Sequence, residues 1–257
     1  MIMIPRHRQL LDYLRLHGDT SVERLARLLG VTAQTIRRDI RELGDAGLLA
    51  RYHGGVGIPA PSTVENIDYA ERRVMNSDAK RRIGELAATC VEHGRSLIIN
   101  IGTTTEEVSK ALLQHKGIRV VTNNLNVASI LSNNADAEVI VAGGLVRKRD
   151  RGIVGEATID FMRQFKVDVG IIGVSGIEDD GTLLDYDYRE VRVTQAIIEQ
   201  AREVWLVADS TKFGRHAMVR VGNIAQIDKF FTDQPVPQQA LEAFASAGVE
   251  VRVADES

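Results

Sequence analysis

One cysteine, Cys90, stands in 257 residues, so no internal disulfide can form. A lone thiol of this kind is expected on the buried face of a helix rather than in a redox or nucleophilic role. No apolar run approaches the roughly 20 residues of a membrane span. The apolar part of the start, MIMIPRHRQL, is too short for a signal peptide. Internal repeats and low-complexity segments are also missing. These absences point to a cytoplasmic globular protein with no membrane partner. With 44% hydrophobic residues, the chain can bury a full core in one large or two unequal domains. Lysine is absent from residues 1–58, yet nine arginines against six acidic residues leave that stretch at +3. The remainder, with 23 basic and 29 acidic residues, is at −6. A small positive end on a larger negative body is a common arrangement for a DNA reader joined to a sensing domain.

The positive end has the matching pattern. A first helix is expected over Arg6–Leu16, with Leu10, Leu11 and Leu14 on one face. In the second, SVERLARLLG, Val22, Leu25, Leu28 and Leu29 form the apolar stripe. After a short turn, Thr32 caps a third helix, TAQTIRRDIRELGDAG, whose inward residues are Ile36, Ile40 and Leu43 and which Gly47 closes. A short hairpin follows, with Arg51 on its first strand and His53 near its tip. This is the order of a winged helix-turn-helix. Thr32, Gln34, Thr35, Arg37, Arg38 and Arg41 then fall where side chains read base edges or clamp phosphates in a major groove, with Arg51 and His53 adding wing contacts. The plainer reading of the arginines is a solvated helix face. Pro59, Pro61 and Ser62 mark a hinge, and residues 59–76 read as a linker that is partly helical at most.

Residues 77–257 alternate between helices and strands, which points to an α/β domain with a mostly parallel sheet covered on both sides. Continuous apolar strands such as SLIINI and VGIIGV fit burial on both faces. Ligands of such sheets sit at the carboxyl ends of the strands, so the loops there are the candidates. The first, Asn100 to Thr105, combines Gly102 with three threonines at a helix start, where free N–H groups and the helix dipole favour an anion. The bland alternative, a threonine cap, accounts for one hydroxyl of three. Asn123 and Asn124 offer amides to a polyol, or serve only as caps and turns. Gly143 and Gly144 allow close approach. Arg147, Lys148, Arg149 and Arg151 read as a solvated loop, with Arg147 the first choice to cover a phosphate. Asp185, Asp187 and Glu190 are carboxylates in one short stretch, and Lys212 follows a strong apolar strand. No metal-ligand spacing occurs, and no cofactor is expected.

TIRRDIRELGDAGLLARYHGG resembles the winged helix-turn-helix of DeoR-type transcriptional repressors. NIGTTT, VTNNLNVA, VAGG, GEATIDF, DVGIIGVSGI, DYREVR and ADSTKFG are similar to that family's sensor motifs and occur in the same order. The resemblance implies a DNA-binding domain over 1–58 and a ribose-5-phosphate-isomerase-like, mostly parallel αβα sensor over 77–257. It implies no enzyme activity, duplex operator DNA as partner, and at least a dimer, or a tetramer, on half-sites about 10 bp apart or a multiple of that. Within the family, GGLVRKRDRGIVGEATIDFMRQFKVD and LLDYDYREVR most resemble regulators of glycerol metabolism, which implies release from DNA by a small phosphorylated polyol, glycerol 3-phosphate. Its contacts would come from Gly102, Thr103, Thr104, Thr105, Asn123, Asn124, Gly143, Gly144, Glu190 and Lys212, beside Asn100 and Arg147. Many members carry Asp where Asn100 stands. The departure removes a negative charge, so no role can rest on a carboxylate there, and an anion is easier to hold nearby. Two alternatives remain open: another sugar phosphate as effector, or a sugar-phosphate isomerase with a DNA-binding appendage.

Overall fold

The computed structural model describes residues 5–17, 20–45, 48–52, 55–57 and 66–255, in two units that divide between Ser62 and Thr63. The first unit runs α1 (Pro5–His17), α2 (Val22–Leu28), α3 (Ala33–Asp45), β1 (Ala50–Tyr52) and β2 (Gly55–Gly57), the two strands pairing antiparallel. Leu10, Leu11 and Leu14 meet Leu25 and Ala26, then Ile36, Ile40 and Leu43, with Leu49 and Val56 closing the core. Their three- and four-residue spacing gives each helix one inward stripe. Side-chain caps set where the helices begin. Ser21 Oγ accepts from Arg24 N at 3.3 Å, and Thr32 Oγ1 from Thr35 N at 3.2 Å. The wing is tied back to the helices: Thr20 and Val56 exchange N–H···O bonds of 3.0 and 2.9 Å. A Cβ on Gly55 would lie 2.5 Å from the Thr20 carbonyl oxygen, so only glycine fits there. His53 and the expected hinge at Pro59–Pro61 lie outside the described residues.

The second unit begins with α4 (Tyr69–Val74), α5 (Ser77–Thr89), β3 (Ser96–Ile99), α6 (Thr103–Ala111), β4 (Arg119–Thr122), α7 (Leu125–Leu131) and β5 (Glu138–Val141). It continues with a hairpin of β6 (Leu145–Val146) and β7 (Ile153–Val154), then α8 (Glu156–Met162), β8 (Val167–Ile172), β9 (Gly176–Ile177), β10 (Thr182–Asp185), α9 (Tyr188–Gln200) and β11 (Ala201–Val207). β12 (Val219–Asn223), β13 (Lys229–Thr232), α10 (Leu241–Ala247) and β14 (Glu250–Val253) complete it. Seven strands form one parallel sheet in the order β14-β13-β11-β8-β3-β4-β5. β12, β10 and β9 form a separate antiparallel sheet, which the sequence reading lacks.

Each central strand serves two cores. Leu97, Ile99, Val169, Ile171, Trp205 and Val207 pack with Ile83 of α5, Val108 of α6 and Val127 of α7. The residues between them, including Ile98, Ile172, Val204 and Leu206, pack with Ile159 of α8, Val193 and Ile197 of α9, and Phe244 of α10. Period-two alternation with apolar residues on both faces is what a doubly covered sheet demands. Cys90 follows α5 as its C-cap, partly buried and free. The stretch 59–76, expected as linker, divides: 58–65 lie outside the described residues, whereas 66–76 fold into the second unit through α4.

The fit of α5 against α6 turns on Gly84, where a Cβ would stand 2.6 Å from the Glu107 carbonyl carbon and 2.7 Å from Val108 N. Alanine would improve helix propensity by about 1 kcal/mol, but these are backbone atoms that cannot step aside. Forcing the helices apart costs about 1–3 kcal/mol. Gly84→Ala should therefore lower the urea midpoint of the second unit, and an unchanged or higher midpoint would show that the helices separate freely.

Candidate functional site

Two surfaces collect the chemistry. In the first unit, α3 buries Ile36, Ile40 and Leu43 and leaves Gln34, Arg37, Arg38 and Arg41 exposed, with Thr32 and Thr35 at its first turn. Its rotation is held from behind. Asp39 is 2% exposed and takes Arg6 Nε at 2.6 Å and Arg6 Nη2 at 2.9 Å, with His7 Nε2 at 3.3 Å. Burial would raise the Asp39 pKa, but the Arg6 guanidinium outweighs it and keeps the carboxyl below its ordinary range. On the outer face, Arg37 Nη2 rests 3.3 Å from Glu23 Oε1 and Arg38 Nε 2.9 Å from Glu42 Oε1. Exposed pairs of this kind are worth about 0–1 kcal/mol, so a phosphate can displace either carboxylate. Arg51 stands on β1 opposite Val56, and the structure describes only its backbone.

In the second unit, the strand order reverses between β3 and β8: the chain builds outward from β3 to β5 on one side and from β8 to β14 on the other. The carboxyl ends at such a reversal leave a crevice. Here it is lined by Gly102 to Thr105 after β3, Gly173 to Ser175 after β8, Lys212 beyond β11, Asp185, Glu190 and Arg72. Thr105 is consumed locally, its Oγ1 donating to the carbonyls of Asn100 and Gly102 at 2.8 Å. Thr103 and Thr104 make no such bond among the described residues, and they open α6 at the crevice. The Lys212 ammonium has no hydrogen bond or ion pair there either. Burial lowers its pKa to about 8; Asp209 opposes this, and Arg215, Lys80 and Arg72 reinforce it. In the same crevice, burial raises Asp185, which accepts from Ser175 Oγ at 3.1 Å and Tyr186 N at 2.6 Å.

Other residues expected around a ligand stand elsewhere. Asn100 is buried beneath the crevice, its Nδ2 donating to Thr194 Oγ1 and its Oδ1 accepting from Ile101 N. Asn123 braces the β6–β7 hairpin, its Nδ2 donating to the Ile153 carbonyl at 3.0 Å. Asn124 caps α7 through Oδ1 and donates from Nδ2 to Glu106. Gly143 and Gly144 shape the entry to the hairpin. A Cβ on Gly144, at φ +147, would strike Thr158 Oγ1. Arg147 is neither a solvated loop residue nor an open cation. It is 7% exposed, with Nη2 2.5 Å from Asp150 Oδ2 and 2.6 Å from Glu190 Oε2, and Nη1 2.9 Å from Asp187 Oδ2. Burial works against its charge, but Glu190 and Asp150 more than restore it.

The residues missed by sequence reading come from the stretch taken as linker, and from around Arg215. Tyr69 Oη donates to Glu106 Oε2 at 2.8 Å and accepts from Asn126 Nδ2 at 2.9 Å. Arg72 lines the crevice with a buried Nε that has no partner; its Nη2 is 3.7 Å from Asp150. A buried donor left so costs about 1–3 kcal/mol. α4 buries no residue fully, so it carries no apolar stripe by which periodicity could mark it as part of a fold. Among the described residues, no group of three His, Cys, Asp or Glu side chains could hold a metal ion.

Residues 6–62 match the family model described as the DeoR-like helix-turn-helix domain, and residues 75–234 that of the DeoR C terminal sensor domain. The chain is 44% identical over 248 residues to the glycerol-3-phosphate regulon repressor of Escherichia coli (strain K12), covering 96% of this chain and 98% of that protein. It is 46% identical over 227 residues to the glycerol-3-phosphate regulon repressor of Haemophilus influenzae, covering 88% of each. Among solved structures, ribose 5-phosphate isomerase A from Methanocaldococcus jannaschii is similar at a TM-score of 0.41 and 12% identity, over 55% of this chain and 56% of that one.

Glu190 joins the crevice to the Arg147 cluster, and its titration tests the geometry. Burial, with Asp185 beside it, pushes its pKa up to about 7, although Arg147 pulls the other way. The unfolded chain releases this proton near the ordinary value of 4.5. Between those values the folded state binds more protons than the unfolded one, so the contribution of Glu190 to stability falls as pH rises. Glu190→Gln should remove a loss on the order of 1–3 kcal/mol between pH 4.5 and 7. Urea unfolding at four pH values compares the slopes; parallel wild-type and variant curves would place Glu190 in an ordinary solvated setting.

Proposed function

The chain belongs to the DeoR family of transcriptional regulators, and on that premise we propose that it represses transcription from operator DNA until a small phosphorylated polyol, glycerol 3-phosphate, fills the crevice. The relatives named as repressors of a glycerol-3-phosphate regulon support the choice of regulon and effector. The observation that carries it is the mixed chemistry of one crevice. Lys212, the start of α6 and the hydroxyls of Thr103 and Thr104 line it together with the buried carboxyl groups of Asp185 and Glu190. A phosphoryl dianion suits the helix dipole, backbone N–H groups and Lys212. Carboxylates accepting from polyol hydroxyls suit the rest of the ligand. Asn100, Asn123, Asn124, Gly143, Gly144 and Arg147 then act from behind, by shaping the loops and holding Glu190.

On the DNA side, Thr32, Gln34, Thr35, Arg37, Arg38 and Arg41 occupy the outer face and first turn of a recognition helix, with Arg51 and His53 assigned to the wing. One such helix covers too few base pairs for tight specificity, so the repressor works as a homo-oligomer on repeated half-sites in the cytoplasm. The ligand releases DNA by favouring the arrangement that fits the half-sites less well; equal affinity for both arrangements would shift nothing.

One observation favours a second reading: Glu190 and Lys212 line the same crevice, where burial pushes the carboxyl up to about 7 and the ammonium down to about 8, as proton transfer requires. Isomerisation of a sugar phosphate would use them. The repressor reading stands above it because both domains match regulators, and incubation with ribose 5-phosphate, watching for a ketose product, separates the two.

Operator duplex is to be selected from a random pool by the wild-type protein. Arg37→Ala should weaken its binding by about 1–3 kcal/mol while glycerol 3-phosphate affinity stays unchanged; a wild-type gel shift would remove α3 as the reader. Lys212→Ala should bind operator normally but need at least about tenfold more glycerol 3-phosphate for release, as loss of a charge-assisted bond implies. Release at the wild-type concentration would displace the phosphoryl site from the crevice.

A further inference from the structure

We infer that Arg72 takes part of the anionic group of the effector and thereby makes residues 66–76 the element that reports occupancy of the crevice. This rests on the pocket reading above and adds to it the residue that links ligand to chain path. Arg72 is the one crevice-lining residue that comes from the stretch leading out of the first unit. α4 starts twelve residues after β2 ends, and the chain between is the covalent route from one unit to the other.

Arg72 is poised for an acceptor it does not have. Its Nε is buried and unpartnered, and Asp150, 3.7 Å from its Nη2, lies beyond hydrogen-bond distance. Asp150 is already engaged: Oδ1 accepts from Arg147 Nε at 3.1 Å and Oδ2 from Arg147 Nη2 at 2.5 Å. An oxyanion in the crevice beside Thr103, Thr104 and Lys212 supplies the missing acceptor, and a guanidinium fork is well matched to it.

The segment is also built to respond. It has no fully buried apolar residue, and polar tethers hold it. Asn66 Nδ2 donates to Ser175 Oγ at 3.3 Å, and Asn66 Oδ1 accepts from Arg215 Nη2 at 2.9 Å. Tyr69 Oη bonds Glu106, Asn76 Nδ2 donates to Asp209 Oδ1 at 3.1 Å, and Lys80 Nζ donates to the carbonyls of Arg72 and Met75. Ser175, Glu106 and Asp209 follow β8, β3 and β11, the strands that frame the crevice. An element held by few polar bonds sits at the low-stability end of a fold, where a ligand changes order most readily.

The test uses the full chain. Glycerol 3-phosphate and inorganic phosphate are titrated calorimetrically, operator release is followed by fluorescence anisotropy, and hydrogen exchange is read over residues 66–76. In the wild type, glycerol 3-phosphate should slow exchange across that segment. Arg72→Ala should bind it at least tenfold more weakly, bind operator within twofold of wild type without ligand, and show neither protection nor release at saturating ligand. Arg72→Lys should fall between, and Arg73→Ala, one position along on the exposed side, should behave as wild type. Lys212→Ala should still protect 66–76 once saturated, since Arg72 makes the link. Wild-type affinity in Arg72→Ala overturns the assignment, as does full protection and release at saturation. If the wild type binds no glycerol 3-phosphate, the choice of effector fails, and the inorganic phosphate titration still decides Arg72: a tenfold loss in Arg72→Ala supports it, and an unchanged or absent signal overturns it.

Discussion

Acidic and basic groups gather where the parallel sheet reverses its strand order. Between β3 and β8 the backbone leaves a crevice that no side chain of the core fills. Among the described residues, neither the Lys212 ammonium nor Arg72 Nε has a hydrogen-bond partner, and Asp185 and Glu190 line the same crevice. Desolvation pushes the carboxyl groups up and the partly buried lysine down, so all three are shifted toward their neutral forms. The fold tolerates this because the two cores flanking the sheet are continuous and apolar. The proposed ligand, with an anion at one end and hydroxyls at the other, would meet both kinds of group.

Arg147 shows why this balance does not collapse inward. Glu190 lines the crevice and is drawn back by Arg147, which also holds Asp150 and Asp187. Arg189 takes Asp187 from the solvent side and helps to keep that carboxyl below its ordinary range against the effect of burial. The first unit uses the same device: Arg6 and His7 occupy Asp39 beneath α3, which turns Arg37, Arg38 and Arg41 outward. In both places a buried carboxylate held by arginine fixes which charges remain available, although Arg6 itself is partly exposed, and breaking such a pair is costly because it strands the buried partner.

The sheet was legible because its strands are apolar on both faces, and the helix-turn-helix because Leu10, Leu25, Ile36 and Ile40 recur at helical spacing. The loops after the strands were legible from topology alone, which is why Gly102 to Thr105, Glu190 and Lys212 do line one crevice. What stayed hidden depends on partners distant in sequence. Arg147 looks like one member of a basic run until Asp187 and Glu190, some forty residues on, meet it. Asn123 and Asn124 carry the composition of a polyol site, yet a hairpin carbonyl and a helix start use them. β9 spans only two residues, and β10 (TLLD) and β12 (VRVGN) lack the continuous apolar runs that mark the central parallel strands. Residues 66–76 are rich in charged and amide side chains, with Ile67, Ala70, Val74 and Met75 among them, and read as a linker, whereas hydrogen bonds to Ser175, Glu106 and Asp209 place them in the fold.

Magnitudes favour that polar segment, rather than the sheet, as the moving part of the proposed switch. Coupling between two ligands of one protein is typically about 1–3 kcal/mol. A hydrogen bond contributes about 0.5–1.5 kcal/mol net, so rearranging two or three of the tethers on residues 66–76 spans the whole range. Shifting β3 against β8 would instead disturb Leu97, Ile99, Val169 and Ile171 in one core and Ile98 and Ile172 in the other. Close-packed interiors resist such displacement, and the loss of one buried aliphatic contact set costs about 2–5 kcal/mol. A rigid sheet that presents the crevice, beside a strap held by a few polar bonds, can therefore convert the binding of one small anion into a change along the chain without loosening the fold that binds it.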